Sequence, residues 1–141
     1  MKVDPKDQGI LKLLKHDARL SIRDIAKKTG IRPSTVHQRI QKLRKDGVIE
    51  KFTIKLNNQA VEESFIVFVL IKTKPSAMLD KIVADDHVKE VFGVTGEYDV
   101  MLKMKFSDVN EFNDFIIKFR KEQSIITTLT MVATANIKEE L

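Results

Sequence analysis

Residues 30–47 read GIRPSTVHQRIQKLRKDG. A proline near the start, a glycine at each end and an apolar residue every third or fourth place predict a helix from about Pro33 to Gly47. Val36, Ile40 and Leu43 fall at i, i+4 and i+7, so they form one buried stripe. Ser34, Gln38, Gln41 and Lys45 point nearly opposite that stripe, and Thr35, His37, Arg39, Lys42 and Arg44 lie on its flanks. Such a helix is either an ordinary surface helix or one that reads DNA, and its neighbours decide which.

Two helical patterns precede it. Asp4 can cap the first and Pro5 suits its first position, with Ile10, Leu11 and Leu14 as the apolar stripe. Ser21 caps the second, Asp24 follows as a weak capping-box partner, and Ile22, Ile25 and Ala26 face inward. Thr29 and Gly30 end it. Two short helices joined by a few residues with a glycine make a helix-turn-helix, and small Ala26 lets the pair approach closely. The outer face of the later helix then offers Ser, Thr, His and Gln groups to base edges, Gln most specifically to adenine, while Lys and Arg beside them take phosphates. The competing reading is a three-helix cluster with a solvated polar face. After Gly47, VIEKFTIKL (48–56) alternates like a strand, and NNQAVEE (57–63) reads as a connector.

Charge divides the chain at the same place. The net charge of +5 is the sum of +9 in residues 1–56 and −4 in residues 57–141, so the first part is the one suited to a polyanion. With 43% apolar residues a packed core is expected. There is no cysteine, and His16, His37 and His87 are too widely spaced for a metal site, so neither a metal nor a catalytic residue is assigned. MKVDPKDQG lacks the apolar core of a signal peptide, and the run Phe65–Ile71 is too short to span a bilayer. A soluble cytoplasmic protein without a membrane partner is expected.

From residue 64 the period changes. SFIVFVLIKTK (64–74) is a strand with two apolar faces: Phe65, Val67, Val69 and Ile71 on one, Ile66, Phe68 and Leu70 on the other. Helices can cover one face, and a second copy of the sheet is the preferred cover for the other. PSAMLDKIVADD (75–86) reads as a helix with Met78, Leu79, Ile82 and Val83 inward. HVKEVFGVTG is a strand, GEYD a turn, and Val100–Phe106 a strand. Ser107 can cap a helix whose core face is Val109, Phe112, Ile116 and Phe119, and SIITTLTMVATANI (124–137) is the last strand. The order β-α-β-β-α-β is the ferredoxin-like pattern, and the class is α+β. A zwitterion would find an ammonium acceptor in Asp99 or Glu97, and carboxylate donors in a glycine-turn backbone or the Thr128 and Thr130 hydroxyls. Equally, the turn can be a hairpin in which Asp99 bonds the backbone, and the two threonines can be there for strand propensity.

Two segments together resemble the Lrp/AsnC (feast/famine) family of transcription regulators, over essentially the whole chain: DQGILKLLKHDARLSIRDIAKKTGIRPSTVHQRIQKLRKDGVIEKFTIKLN and GVTGEYDVMLKM. The resemblance implies a homodimer through the regulatory sheets, often assembled to a tetramer or octamer. It implies pseudo-palindromic double-stranded promoter DNA as partner. It also implies a small effector, usually an amino acid, held between dimers, and no other cofactor. By position it carries over Ser34, Thr35, His37, Gln38 and Arg39 as groove residues, and Arg19, Ser21, Lys42 and Arg44 as phosphate contacts. Gly96, Tyr98, Asp99, Thr128 and Thr130 would line the effector site beside Glu97. The chain departs from the family at Arg32, where a serine usually precedes the reading helix, so Arg32 is either a poor cap or a phosphate contact. It departs again in the connector, where Glu62 and Glu63 stand near the family's usual glycine. Two other functions fit the same frame: a sirohaem decarboxylase-like enzyme, and an architectural DNA binder without an effector. A regulator that is not an enzyme is the preferred reading.

Overall fold

The computed structural model describes residues 2–74, 79–122 and 125–141. The chain forms two compact units, Met1–Lys55 and Leu56–Leu141. No helix of the described residues is long and apolar enough to cross a membrane.

The first unit holds α1 (Pro5–His16), α2 (Ile22–Thr29) and α3 (Pro33–Lys45). Ile10, Ile25, Ala26 and Val36 form its buried centre, with Leu14, Leu20 and Ile40 packed against it. Each helix start has its own local cause. Asp4 accepts from Asp7 N while Asp7 accepts from Asp4 N, a full capping box at α1. Ser21 Oγ accepts from Asp24 N at α2. Gly30 ends α2 at φ 72°, the left-handed value that glycine adopts without a steric penalty. The trailing strand expected at 48–56 does not form, and residues 50–57 are irregular. A strand exists only through a hydrogen-bonding partner, and this segment has none here. Its alternation leaves Phe52, Ile54 and Leu56 exposed, Ile54 by 68%.

The second unit is a four-stranded antiparallel sheet of order β2-β3-β1-β4, from β1 (Phe65–Thr73), β2 (Val88–Gly93), β3 (Val100–Phe106) and β4 (Ile125–Val132). It carries α4 (Asp80–Val83) and α5 (Val109–Phe119). Val67, Val69 and Ile71 of β1 and Leu102, Met104 and Phe106 of β3 pack with Ile82, Phe112, Ile116 and Phe119 as one core. The expected β-α-β-β-α-β order is present, with local differences. Val83 and Val109 are exposed rather than inward. Asp108, not Ser107, caps α5, because its carboxylate accepts from Glu111 N (2.9 Å). β2 stops at Gly93 and β4 at Val132, short of the expected 96 and 137. The expected start of the helix at 75–78, including Met78, and the start of the last strand at 124 lie outside the described residues.

Candidate nucleic-acid interface and effector turn

Val36 and Leu43 bury one side of α3, which leaves Ser34, His37 and Gln38 exposed on the other and Thr35 half-buried. Three donor-acceptor side chains of moderate length therefore share an exposed face, the arrangement that direct readout in a major groove needs. The cations around them differ in how free they are. Arg19 and Arg32 are exposed. Lys42 pairs with Asp46 at 2.6 Å, one turn along the same helix. With Lys42 three-quarters exposed, a phosphate can replace that partner. The Arg44 guanidinium lies 5.3 Å from the Phe52 ring centroid. Ser21 Oγ is already the acceptor at α2, but its hydroxyl proton can still be donated to a phosphate.

Arg39, which the resemblance carries over as a groove residue, is engaged by two carboxylates. Its Nη1 meets Asp4 Oδ2 at 2.6 Å and Asp7 Oδ1 at 3.0 Å. The Arg39 side chain is 26% exposed. Its hydrogen bond is the main reason that the Asp4 carboxyl is held down at about 2. Sequence reading treated Asp4 only as a cap. The signal available was a second aspartate three places on, which makes the cap a two-carboxylate site. At Arg32 the departure from the family has a plain consequence: Arg32 is the N-cap of α3 and makes no side-chain cap bond. Ser34 does not replace it, so the first backbone N–H groups of α3 are open to an anion.

In the second unit, directly paired residues share a face of the sheet. Val100, Ile71 and Thr128 form one row across β3, β1 and β4, and Val69 pairs with Thr130. The turn 94–99 thus leads into the row that contains Thr128, at one end of the sheet. Thr128 and Thr130 lie on the face of the buried Ile71 and Val69, Thr128 half-buried and Thr130 exposed. Gly96 takes φ 116°, which excludes most other residues there. Tyr98 is half-buried and Glu97 exposed. Asp99 Oδ2 accepts from Thr73 N (2.8 Å) and the Thr73 hydroxyl (3.2 Å), the backbone-bonding role of a hairpin carboxylate. Asp99 therefore joins the start of β3 to the end of β1, and Glu97 is the turn carboxylate that faces solvent.

The opposite face carries a cross-strand row of Phe92, Met101, Leu70 and Leu129, and next to it Glu90, Lys103, Phe68 and Met131. Phe92, Leu129 and Met131 are exposed, Phe92 by 55%. Lys103 and Lys105 share one carboxylate, Glu139, which also accepts from Asn58 Nδ2 at 3.0 Å. Asn58 in turn accepts from Lys105 (2.7 Å). Hydrogen bonding from Lys103 holds the Glu139 carboxyl well below the usual carboxylate range. Among the described residues no group of three or more His, Asp or Glu is placed to hold a metal ion.

Residues 3–50 match a model described as winged helix-turn-helix DNA-binding, and residues 66–141 match one described as Lrp/AsnC ligand binding domain. The chain is 34% identical to the HTH-type transcriptional regulator FL11 of Pyrococcus abyssi, over 99% of this chain and 94% of that one. Its fold is similar to that of Escherichia coli AsnC, with a TM-score of 0.90 at 27% identity, covering 100% of this chain and 98% of that one. It is also similar in fold to the transcriptional regulator NMB0573 of Neisseria meningitidis in its L-Met complex, with a TM-score of 0.91 at 20% identity, covering 99% and 94%.

Proposed function

The chain belongs to the Lrp/AsnC family of transcriptional regulators, and on that premise we infer that it is a sequence-specific regulator of promoter DNA, tuned by an amino acid and acting in the cytoplasm. The observation that carries the DNA half is the exposed face of α3, where Ser34, His37 and Gln38 stand clear above the buried Val36 and Leu43. In this reading Ser34, Thr35, His37 and Gln38 meet base edges. Arg19, Ser21, Lys42 and Arg44 hold phosphates, and Arg32 with the uncapped start of α3 clamps one more.

The effector half rests on the turn. Backbone N–H groups at Gly96 and the Thr128 and Thr130 hydroxyls offer donors to a carboxylate, Glu97 offers an acceptor to an ammonium, and Tyr98 supplies apolar contact. The L-Met complex of NMB0573 supports an amino acid as the ligand class. The row of Phe92, Met101, Leu70 and Leu129 is the surface on which two copies pair, face to face. The matches to a DNA-binding model and a ligand-binding model support a regulator over a decarboxylase-like enzyme.

A thermal-shift screen with each of the twenty amino acids tests the effector, because a ligand of the native state raises the melting point by mass action. Selective rise with one or a few amino acids is expected, and no rise with any removes the effector half. Leu129→Glu, measured by light scattering, tests the assembly: a monomer is expected, and an unchanged dimer places the interface elsewhere.

A further inference from the structure

We propose that Arg39 is a positioning residue that sets the orientation of the reading helix, and not one of its DNA contacts. The core between α1 and α3 is apolar, formed by Ile10 and Val36 with their neighbours. Apolar packing is strong but weakly directional, so the buried stripe decides which side of α3 faces out but tolerates a small rotation about its axis. The Arg39 cluster supplies direction. Asp4 and Asp7 are first fixed by each other's backbone N–H, at 2.8 and 3.2 Å. Arg39 Nη1 then bonds one oxygen of each. The first turn of α1 is in this way tied to the middle of α3 by charge-assisted bonds, which are the strong and geometrically demanding kind.

Arg39 follows Gln38 directly and lies one turn beyond Thr35, so the tie acts on the stretch that presents the reading groups. A base-edge contact tolerates displacements of only about 0.5 Å, and a small rotation of α3 carries the Gln38 amide out of reach. A guanidinium shared by two carboxylates is also a poor phosphate ligand, since the three groups together carry a net negative charge.

The inference rests on α3 as the reading helix, and the experiment separates the two. The full chain is used to select its preferred duplex from random sequence. Affinity for that duplex and for a scrambled one is then measured by fluorescence anisotropy over a range of salt. Temperatures are chosen at which circular dichroism shows each variant folded. For Arg39→Gln the preferred-to-scrambled ratio should fall about ten-fold, with the scrambled affinity and the salt slope kept. Asp4→Asn with Asp7→Asn should lose the same preference although Arg39 is intact and freed, and should bind scrambled DNA at least as tightly. Arg39→Lys should restore part of the ratio. A salt slope about one unit shallower for Arg39→Gln, with both duplexes weakened, overturns the proposal in favour of a phosphate contact. An unchanged ratio in both variants makes the cluster a stabilising one only. A wild-type chain that selects no preferred duplex defeats the reading of α3 instead.

Discussion

Each of the two units contains a three-part ion cluster built on one shared group, and these two clusters are inverses of each other. In the first unit one cation, Arg39, is shared by two carboxylates, Asp4 and Asp7. In the second, one carboxylate, Glu139, is shared by two cations, Lys103 and Lys105. The first withdraws a cation from the flank of α3, while Arg19 and Arg32 remain exposed. The second, with Glu90 3.5 Å from Lys103, balances two ammonium groups on a sheet face where an uncompensated one would oppose coverage by a second copy. One cluster thus directs a helix, and the other neutralises a surface.

The largest effect is expected where the cluster is most buried. Glu139 is 12% exposed and stands between two lysines that are nearly as covered. Glu139→Gln keeps the shape and the bond to Asn58 but leaves Lys103 with only Glu90, at 3.5 Å, and Lys105 with neutral partners. Stripping one partner from such a group should cost about 2 kcal/mol of stability, since the stranded charges still require solvation. Chemical denaturation reads this directly, and self-association should weaken in parallel. An unchanged transition would mean that the cluster forms without contributing, and the contrast between the units would lose its second half.

Arg32→Ser comes next and sharpens the account of α3. Serine restores a side-chain cap and removes a cation. If Arg32 clamps a phosphate, affinity for all duplexes falls a few-fold and the salt slope becomes shallower by about one unit, while the melting point rises through the new cap. Equal affinity and slope with a higher melting point would make Arg32 merely a poor cap.

What could be read from the sequence follows interaction range. The helix-turn-helix, the βαββαβ order and the buried faces depend on local periodicity, and Val36, Leu43, Val67, Phe112 and Ile116 are where the periods place them. The caps at Asp4 and Ser21 are equally local. The clusters were not legible, because Arg39 meets carboxylates 32 and 35 residues away, and Lys105 meets Glu139 34 residues away. No spacing rule announces such pairs. The strand at 48–56 failed for a related reason: alternation shows that a segment can pair, not that a partner is present. At the turn 94–99, the hairpin role of Asp99 became visible only through the bond that Thr73 N donates to its Oδ2.

A third cluster, also in the second unit, adds a cation that titrates near neutral pH, which the other two lack. His87 is held by Asp85 at Nδ1 (2.8 Å) and by Glu111 at Nε2 (2.5 Å), stacked on Phe106 at 4.7 Å. Burial pushes its pKa down, but the two carboxylates outweigh this and leave it above its ordinary value. A raised value means that its stabilisation is complete below about pH 6.5 and is lost as pH rises through the folded-state value. Glu111 acts in the opposite range: bonds from the Ser107 hydroxyl and N–H, then from His87, hold it down at about 2, so its contribution is lost only in acid. Between pH 6 and 9 the melting point should fall by a few degrees, and His87→Gln should flatten that fall. An equal slope in the variant would assign the dependence to other groups.

The smallest effect separates backbone strain from charge. Glu62 takes φ 57°, the only described non-glycine residue with positive φ, near the place where the family usually has glycine. The turn around it is closed by Glu62 N to Gln59 O and Glu63 N to Asn58 O, so the conformation is set by the connector's own bonds. A left-handed residue with a Cβ costs about 1 kcal/mol, and glycine removes that strain but adds unfolded-state entropy of about 0.5 kcal/mol or more. Glu62→Gly should therefore stabilise by no more than about 0.5 kcal/mol, visible in the denaturation midpoint at constant slope. Glu62→Ala is the control, because it removes the charge and keeps the strain. If alanine stabilises as much as glycine, the gain comes from lost repulsion beside Glu63, and the backbone at Glu62 is not strained in the way its φ implies.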